Sequence, residues 1–272
     1  MAINSKLSPY QAKRDFSRTA EPSGENAVAP SEVRRYIIQK HAGTRLHYDF
    51  CLELDRVLKS GAVTKGPSID PHDKRLSVEV EDHPLDYGDS EGTIPKGQYG
   101  GGSVQLWDRG YWLPEERDSA AALSKGELKF VVEGERLHGG WVLVRIRNRR
   151  MVEKKNNWLL IKHRDKFARD DDGGALLAAD RSVASGRKMA DIAAGKGRSP
   201  KPFILATRHK TSPDAIWNSD RGSAAELRAA VVTSANSSPK TIRSKAVLGN
   251  APSRRPNPSG RRPVPKRLNR RN

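Results

Sequence analysis

Short runs of alternating apolar and polar residues, separated by turn-forming segments, most constrain what this chain can fold into. The clearest run is LHYDFCLELD (46–55), in which Tyr48, Phe50, Leu52 and Leu54 occupy every second position. Successive side chains of a β-strand point to opposite faces, so this pattern predicts a strand with one apolar face. Comparable strand-like runs occur at 35–41, 75–83, 103–112, 127–134, 141–147 and 157–163.

Glycine and proline punctuate these runs, as in IPKGQYGGG (94–102) and LHGG (137–140). Six or seven short strands with such turns favour an antiparallel barrel or sandwich over a parallel α/β sheet. We therefore predict a mainly β fold, a small antiparallel β-barrel with a few short helices. In such a barrel we expect the ionisable faces of some strands to point inward. Ionisable groups are tolerated there only if they pair, bind metal or line a wet cavity.

Charge divides the chain into two parts. Residues 1–172 carry 29 Lys and Arg against 27 Asp and Glu, whereas residues 173–272 carry 21 against 5. The second part is also rich in Pro, Ser and Asn and poor in aromatics, which is typical of disorder. We predict an N-terminal arm (1–33), a barrel domain (34–172) and a disordered basic tail (173–272). The charge of the tail suits a nucleic-acid partner, although a purely solubilising segment would have the same composition.

The single cysteine, Cys51, excludes an intrachain disulfide and fits a reducing compartment. The N-terminal residues lack the apolar core of a secretory signal. No stretch approaches the ~20 apolar residues of a membrane span. We therefore expect a cytoplasmic protein with no membrane partner.

The segment HAGTRLHYDF concentrates candidate metal ligands. His41 ends one predicted strand, and His47 and Asp49 share one face of the next. Two imidazoles and one carboxylate are a minimal protein set for a divalent metal with open positions. Polar residues that are merely solvated or hydrogen-bonded would fit this spacing equally well.

Ionisable residues elsewhere favour the metal-site interpretation. His83 lies beside Glu81 on the polar face of another predicted strand, so several such groups come together on neighbouring strands. Lys65, Arg75 and Arg14 are cations of the kind that a phosphate near a divalent ion requires. Each of these three is also interpretable as an ordinary solvated charge.

Five separated segments carry a resemblance to a known family. They are YQAKRDFSRTAEPSG (10–24), QKHAGTRLHYDF-LEL (39–54), VLKS-AV-KGPS (57–68), KRLSVEVEDHPLDYGDSEGTIPKGQYGGGSVQLWDRGYW (74–112) and WLLIKHRD (158–165). Together they resemble the 3′-phosphoesterase domain of bacterial DNA ligase D, the multifunctional end-joining ligase. The polymerase and ligase modules of that enzyme have no counterpart in this sequence, so the resemblance predicts a stand-alone phosphoesterase.

The resemblance implies a polar crevice that binds manganese or a similar divalent ion. It implies removal of a terminal 3′ ribonucleotide, followed by hydrolysis of the resulting 3′-phosphate to a 3′-hydroxyl. By motif position, His41, His47 and Asp49 match metal ligands. His83 and Tyr87, both in VEDHPLDY, match active-site residues near the reacting phosphate.

The remaining implied roles fall on charged residues. Lys65 and Arg75 match phosphate-contacting residues, Arg14, Asp15 and Glu21 match arm residues that complete the site, and Glu81 matches a supporting polar residue. The implied partners are DNA or DNA/RNA 3′ ends at primer–template junctions. An end-joining ligase, a polymerase or an end-binding protein is a further candidate partner, and the expected location is the bacterial nucleoid.

One position departs from the family pattern in a way that affects the chemistry. The family motif HYDFRLEL carries an arginine where this chain has Cys51, and Gly61 and Thr64 replace a tryptophan and a proline nearby. Loss of a charge-assisted contact costs roughly 1.5–3 kcal/mol. The rate would then fall by about one to two orders of magnitude if nothing compensates. Two alternative interpretations stay open. Cys51 would mark a catalytically weakened module that binds nucleic-acid ends, or the His/Asp cluster would be a structural metal site, in which case chelation would unfold the protein.

Overall fold

A computed structural model describes residues 3–26, 28–29, 31, 33–146, 156–171 and 173–205. In this part of the chain the strands are β1 (Arg35–Ala42), β2 (Leu46–Leu54), β3 (Val57–Val63), β4 (Arg75–Glu79), β5 (Gly92–Ile94), β6 (Gly102–Pro114), β7 (Glu127–Gly134), β8 (His138–Arg145) and β9 (Asn157–Lys162). The helices are α1 (Ile3–Gln11), α2 (Ser119–Lys125) and α3 (Met189–Ala193), with 3-10 turns at Leu85–Asp89 and Ala175–Ala178. No helix of the described residues is long and apolar enough to span a membrane.

The strands form one closed antiparallel barrel. Their order is β1-β2-β3-β4-β9-β8-β7-β6, and pairing of β1 with β6 closes the ring of eight strands. The short strand β5 pairs with β6 outside this ring. The predicted mainly β barrel with a few short helices is therefore confirmed.

Alternating apolar residues fill the interior of the barrel. On β2, Tyr48, Phe50, Leu52 and Leu54 belong to the main core cluster, which also contains side chains from the strands on the far side of the ring. Burying each such large side chain contributes about 1.5–3 kcal/mol. The intervening residues of β2 therefore face outward, so the expectation that the ionisable face points into the barrel is wrong for β2. On β4 the polar face does point inward, because Ser77 pairs with the core residues Val63 and Trp158. The candidate site, which includes the ionisable residues of β2, therefore lies on the outer wall.

Two parts of the sheet differ from the predicted strands. Strand β3 was not predicted, because Lys59, Ser60 and Gly61 interrupt the apolar alternation of its sequence. Strand β4 ends at Glu79 rather than continuing to residue 83. The pairs Gly61–Glu79 and Leu58–His83 are separated by three residues on β3 but by four residues on the segment that begins at the end of β4.

This one-residue shift is a bulge, and a shift of one residue moves a side chain to the other face of a sheet. His83 therefore lies on the outer face, together with Leu58. Simple alternation from Arg75 would have placed the histidine on the opposite face. The bulge thus brings His83 to the same wall as the ionisable residues of β2.

The boundary predicted at residue 172 is too early. Residues 173–205 contain a 3-10 turn and α3, and Ala184, Ile192 and Ile204 are buried. Ala184 and Ile204 pack against Ile37 and Leu58 on the outer wall of the barrel. Apolar residues that are sparse in a polar segment give no periodic signal, so composition alone suggested disorder. The rest of the predicted tail, 206–272, lies outside the described residues.

Candidate active site and metal centre

The hairpin of β1 and β2 brings the three predicted metal ligands together. His41 pairs directly with His47 across the two strands, and Asp49 follows two residues later on the same face. Asp49 Oδ2 lies 3.4 Å from His41 Nδ1 and 3.5 Å from His47 Nε2. Donors about 2.0–2.2 Å from a common ion lie roughly 2.8–3.6 Å apart at octahedral to tetrahedral angles. The separations therefore fit a shared cation.

Backbone carbonyls determine which ring nitrogens are available to a metal. His41 Nε2 lies 2.8 Å from the carbonyl oxygen of Gly100, and His47 Nδ1 lies 2.8 Å from that of Arg45. A carbonyl can only accept, so these two nitrogens carry the protons. The lone pairs of neutral His41 and His47 are then on Nδ1 and Nε2, the two atoms beside Asp49. This is the outer hydrogen bonding that metal-binding histidines use.

The charge of the cluster is also suitable for a cation. Burial alone would raise the pKa of Asp49, but its interactions with His41 and His47 outweigh burial and hold the pKa well below its usual range. Asp49 is therefore ionised at neutral pH. The carboxylate in turn raises the pKa of His47. A negative charge flanked by two imidazoles is available at the surface of the barrel.

His83 is a buried imidazole with both ring nitrogens engaged. Arg14 Nη2 lies 3.4 Å from Nε2, and the Ser60 hydroxyl oxygen lies 3.0 Å from Nδ1. Arginine can only donate, so Nε2 is the acceptor and Nδ1–H donates to Ser60. Burial, together with the positive charge of Arg14, lowers the pKa of His83 to about 4. The ring is therefore neutral at pH 7.

Arg14 ties the N-terminal arm to this histidine. Its side chain is 4% exposed and donates to Glu21 at 2.9 Å and to Glu81 at 3.0 Å. Its guanidinium carbon lies 3.8 Å from the centre of the Tyr10 ring. Burial raises the pKa of Glu81, but hydrogen bonds from Lys13 and Arg14 outweigh burial and lower it to about 2. The arm is thus held by a paired ionic network.

Tyr87 connects the two halves of the site. It is buried in the 3-10 turn Leu85–Asp89, and its ring centre lies 4.7 Å from that of His83. Burial raises the pKa of Tyr87, and the negative charges of Glu21 and Asp49 raise it further. The charge of Asp49 also acts on the pKa of His83. On β2, Cys51 follows Asp49 by two residues and pairs with Ser60. The Ser60 hydroxyl contacts His83, so the metal-ligand cluster and the buried histidine lie on one wall of the barrel.

Three predicted site residues make no contact with this group in the described part of the chain. Asp15 is exposed and accepts hydrogen bonds from Ser17. Lys65 is exposed in the turn after β3, and Arg75 donates to Asp73 at 2.7 Å. Their roles in binding phosphate or completing the site stay predictions.

Cys51 is buried beside the site. Its side chain is 2% exposed and packs with Leu58, Leu106 and Ile204. The Ser60 hydroxyl lies 3.3 Å from its sulfur. Burial raises the pKa of the thiol to about 12. The thiol is therefore protonated at neutral pH and carries no charge toward the site.

Sequence reasoning did not identify several residues that hold the site together. Ser60 receives the Nδ1–H of His83, Tyr10 stacks on Arg14, and the carbonyl of Gly100 orients His41. A hydroxyl, an aromatic ring and a backbone oxygen have no distinctive spacing relative to their partners. The register that brings them together appears only in three dimensions.

These features define a class of protein: a closed β-barrel whose outer wall carries a His–His–Asp cluster beside a buried histidine and arginine. Residues 39–145 match the family model described as the DNA Ligase D 3′-phosphoesterase domain. The barrel of this chain belongs to that family.

Relatives in three bacteria support this assignment. The multifunctional non-homologous end joining protein LigD of Pseudomonas aeruginosa is 51% identical over 173 residues, which are 63% of this chain and 20% of that protein. The protein of the same name from Mycolicibacterium smegmatis is 38% identical over 67% of this chain and 24% of its own length. The LigD protein of Mycobacterium tuberculosis is 32% identical over 70% of this chain and 24% of its own length. The chain therefore spans about a fifth to a quarter of these relatives.

Proposed function

We propose that this chain is a divalent-metal-dependent 3′-phosphoesterase that trims the 3′ ends of nucleic-acid strands in DNA end-joining repair. The observation that carries the proposal is the convergence of His41 Nδ1, His47 Nε2 and Asp49 Oδ2 on one point. The opposite ring nitrogens are already satisfied by carbonyls, so the set is preorganised for a cation. Manganese is the proposed ion, by the resemblance to the family, and other divalent ions fit the same donors.

The residues in and around that cluster have different proposed roles. When bound, a divalent ion would polarise the phosphoryl group as a Lewis acid and neutralise its charge. Asp49, His41 and His47 hold the ion, and His83 lies close enough to respond electrostatically to Asp49. Because His83 is neutral at pH 7 and its Nε2 already accepts from Arg14, its proposed role is to stabilise, together with Arg14, the charge that develops on the phosphoryl group. It would act as an acid only after a bound phosphate raised its pKa.

Arg14 has a narrower role than a free phosphate-binding cation. Glu21 and Glu81 already balance its charge, and its Nη2 is directed at His83. Arg14 is therefore proposed to orient His83. Lys65 and Arg75 are the proposed phosphate ligands, because Lys65 makes no hydrogen bond or ion pair with the described residues and Arg75 has only Asp73 as an ionic partner.

The proposed substrate is a strand with a terminal 3′ ribonucleotide at a primer–template junction. The product after its removal is a 3′-phosphate, which the same site would hydrolyse to a 3′-hydroxyl. A neighbouring 2′-hydroxyl distinguishes an RNA end from a DNA end. The segment 206–272 carries 15 Lys and Arg against 3 Asp and Glu, and we propose that it holds the strand electrostatically.

A second candidate function rests on Cys51. The position where the family carries an arginine is here an uncharged, buried thiol. A site that lacks this cation would still bind a nucleic-acid end while hydrolysing it slowly or not at all. This alternative is a catalytically weakened end-binding module.

A primer–template duplex with one terminal 3′ ribonucleotide tests the two candidates. The enzyme predicts a shortened primer ending in 3′-phosphate or 3′-hydroxyl with manganese, and no product with chelator. The ratio of the two ends shows which step Cys51 impairs. Folded protein that binds the duplex but forms no product at any manganese concentration would contradict the enzyme and support the binding module.

A further inference from the structure

A groove of about 680 Å³ opens beside the metal-ligand cluster. It lies between the turn that joins β1 to β2 and the loop 95–102 that leads into β6. We call it the glycine groove. Its lining includes the metal-ligand candidates His41 and His47, the cations Arg45 and Lys96, and glycines such as Gly97 and Gly100. Its volume lies within the range of roughly 300–1,000 Å³ that is usual for ligand sites.

The loop that forms one wall of the groove is held from both sides. On the groove side, the carbonyl of Gly100 accepts from His41 at 2.8 Å. On the other side, the Tyr99 hydroxyl lies 3.3 Å from Lys13 Nζ and 3.4 Å from Glu81 Oε2. The wall is therefore fixed between the metal ligand and the arm, and a ligand would not have to order it.

Glycine makes this wall accessible to another backbone. Gly97 and Gly100 have φ values of +89° and +73°, which L side chains rarely adopt. A Cβ on Gly97 would meet no atom within 4 Å, so the space beside it is open. Such a surface admits a sugar–phosphate chain at close range.

The charges of the groove differ from those of the arm. Arg45 and Lys96 are exposed, and neither forms a hydrogen bond or ion pair through its side chain with the described residues. By contrast, Lys13 and Arg14 are paired with Glu81. Two unpaired cations, Arg45 on the β1–β2 turn and Lys96 on the glycine loop, match the phosphates of a strand. No Phe, Tyr or Trp of the described residues lines the groove, so it offers no stacking surface for a base.

We propose that the glycine groove binds the sugar–phosphate backbone of the strand immediately 5′ to the reacting end, without regard to base sequence. The proposal rests on the proposed function for the choice of substrate. It adds Arg45 and Lys96 as strand-binding residues and assigns the loop 95–102 to substrate positioning. The groove adjoins His41 and His47, so a strand lying in it leads its 3′ end to the cluster.

The test is a binding titration of the full chain with 5′-labelled single strands that end in one 3′ ribonucleotide. Fluorescence anisotropy in chelator, over a range of salt concentrations, measures affinity without turnover. The double variant Arg45→Ala/Lys96→Ala is compared with wild type and with Lys74→Ala/Arg117→Ala. The control pair is exposed, removes the same charge and does not line the groove. Thermal unfolding of each variant checks the fold.

The groove variant is expected to bind about tenfold more weakly at physiological salt, with a salt slope reduced by about 1.4, because each single-strand phosphate contact contributes roughly 0.7. The control pair is expected to keep the affinity and slope of wild type. Unchanged binding by the groove variant, or an equal loss in the control, would overturn the inference even if wild type cleaves the primer. A groove-specific loss supports the inference even if wild type proves inactive.

Discussion

Two clusters among the described residues satisfy the same geometric condition for a metal site, yet only one of the two has suitable ligand chemistry. The donor atoms of His41, His47 and Asp49 lie within 4.8 Å of one another, and so do those of Asp70, His72 and Asp170. We call these the barrel cluster and the loop cluster. The His72 side chain is 64% exposed, whereas that of His41 is 8% exposed.

The two clusters differ in the hydrogen-bond partners of the histidine ring nitrogens that point away from the cluster centre. In the barrel cluster, carbonyl acceptors fix the protons on the outer nitrogens and leave lone pairs directed at the centre. In the loop cluster, His72 Nδ1 faces Asp70 at 2.9 Å, and Nε2 faces Arg164 at 2.7 Å. Both nitrogens of His72 are therefore committed, and a guanidinium stands where it would repel a cation. Proximity of ligand atoms is thus insufficient without the correct tautomer.

The largest expected effect is on manganese-dependent cleavage, which should depend on the barrel cluster and not on the loop cluster. His47→Ala should lower manganese-dependent product formation by at least about a thousandfold, because a lost ligand removes several kcal/mol of transition-state stabilisation. His72→Ala should leave the rate unchanged. Primer cleavage by both variants, with denaturation curves as the check on folding, measures this. Full activity in His47→Ala would refute the metal assignment.

A second prediction concerns the burial of His83 beside the barrel cluster. The pKa of His83 is about 4 in the folded chain and ordinarily about 6.5. The unfolded state therefore binds more protons between these values, and the free energy of unfolding falls as pH falls through that window. The loss attributable to this residue is about 3 kcal/mol at pH 4.

Urea denaturation at pH 7 and pH 4 in chelator measures that loss. His83→Gln should show a weaker pH dependence than wild type. An unaltered dependence in His83→Gln would mean that the histidine is not buried in its neutral form.

Adding a cation beside the barrel cluster should sharpen the comparison further. Cys51→Arg restores the family residue, and we expect the cleavage rate to rise by about 10- to 100-fold. The guanidinium has to leave the apolar group around Ile204, so some stability should be lost as well. Single-turnover kinetics, with Cys51→Leu as an uncharged control, measure the gain. A rate equal to wild type would show that another cation already serves this position.

The smallest effect concerns the support of His83 by Ser60. Ser60→Ala removes the acceptor of the Nδ1 proton, and we expect kcat to fall about tenfold with little change in KM. Ser60→Thr keeps the hydroxyl and should restore most of the rate. The pH profile of kcat separates this role from a loss of packing, because only a changed tautomer moves the profile. If wild type, Ser60→Ala and Ser60→Thr had the same rate and the same pH profile of kcat, Ser60 would have no role in supporting His83.

Much of the fold follows from local pattern. Strands β1, β2 and β7 were predicted nearly residue for residue, because each is a short run rich in apolar and aromatic residues, and the alternation of β2 is strict. The three-residue metal cluster followed from the same alternation together with a turn between His41 and His47. Local spacing is sufficient there, since one hairpin supplies every ligand.

The rest depends on contacts between distant segments. His83 reaches the outer wall only through a bulge that the regular sequence 75–83 does not reveal. Strand β3 carries too few apolar residues to be recognised, and residues 173–205 contribute isolated side chains such as Ile204 to the outer wall. Arg14 lies 69 positions from His83, and no local rule predicts that pairing. Tertiary register decides each of these features.

A manganese titration followed by electron paramagnetic resonance tests the central claim most directly. Wild type and His72→Ala are predicted to bind one manganese ion with the same affinity, and His47→Ala is predicted to lose that binding. Retention of the ion by His47→Ala, together with its loss from His72→Ala, would place the metal at the loop cluster and contradict the account.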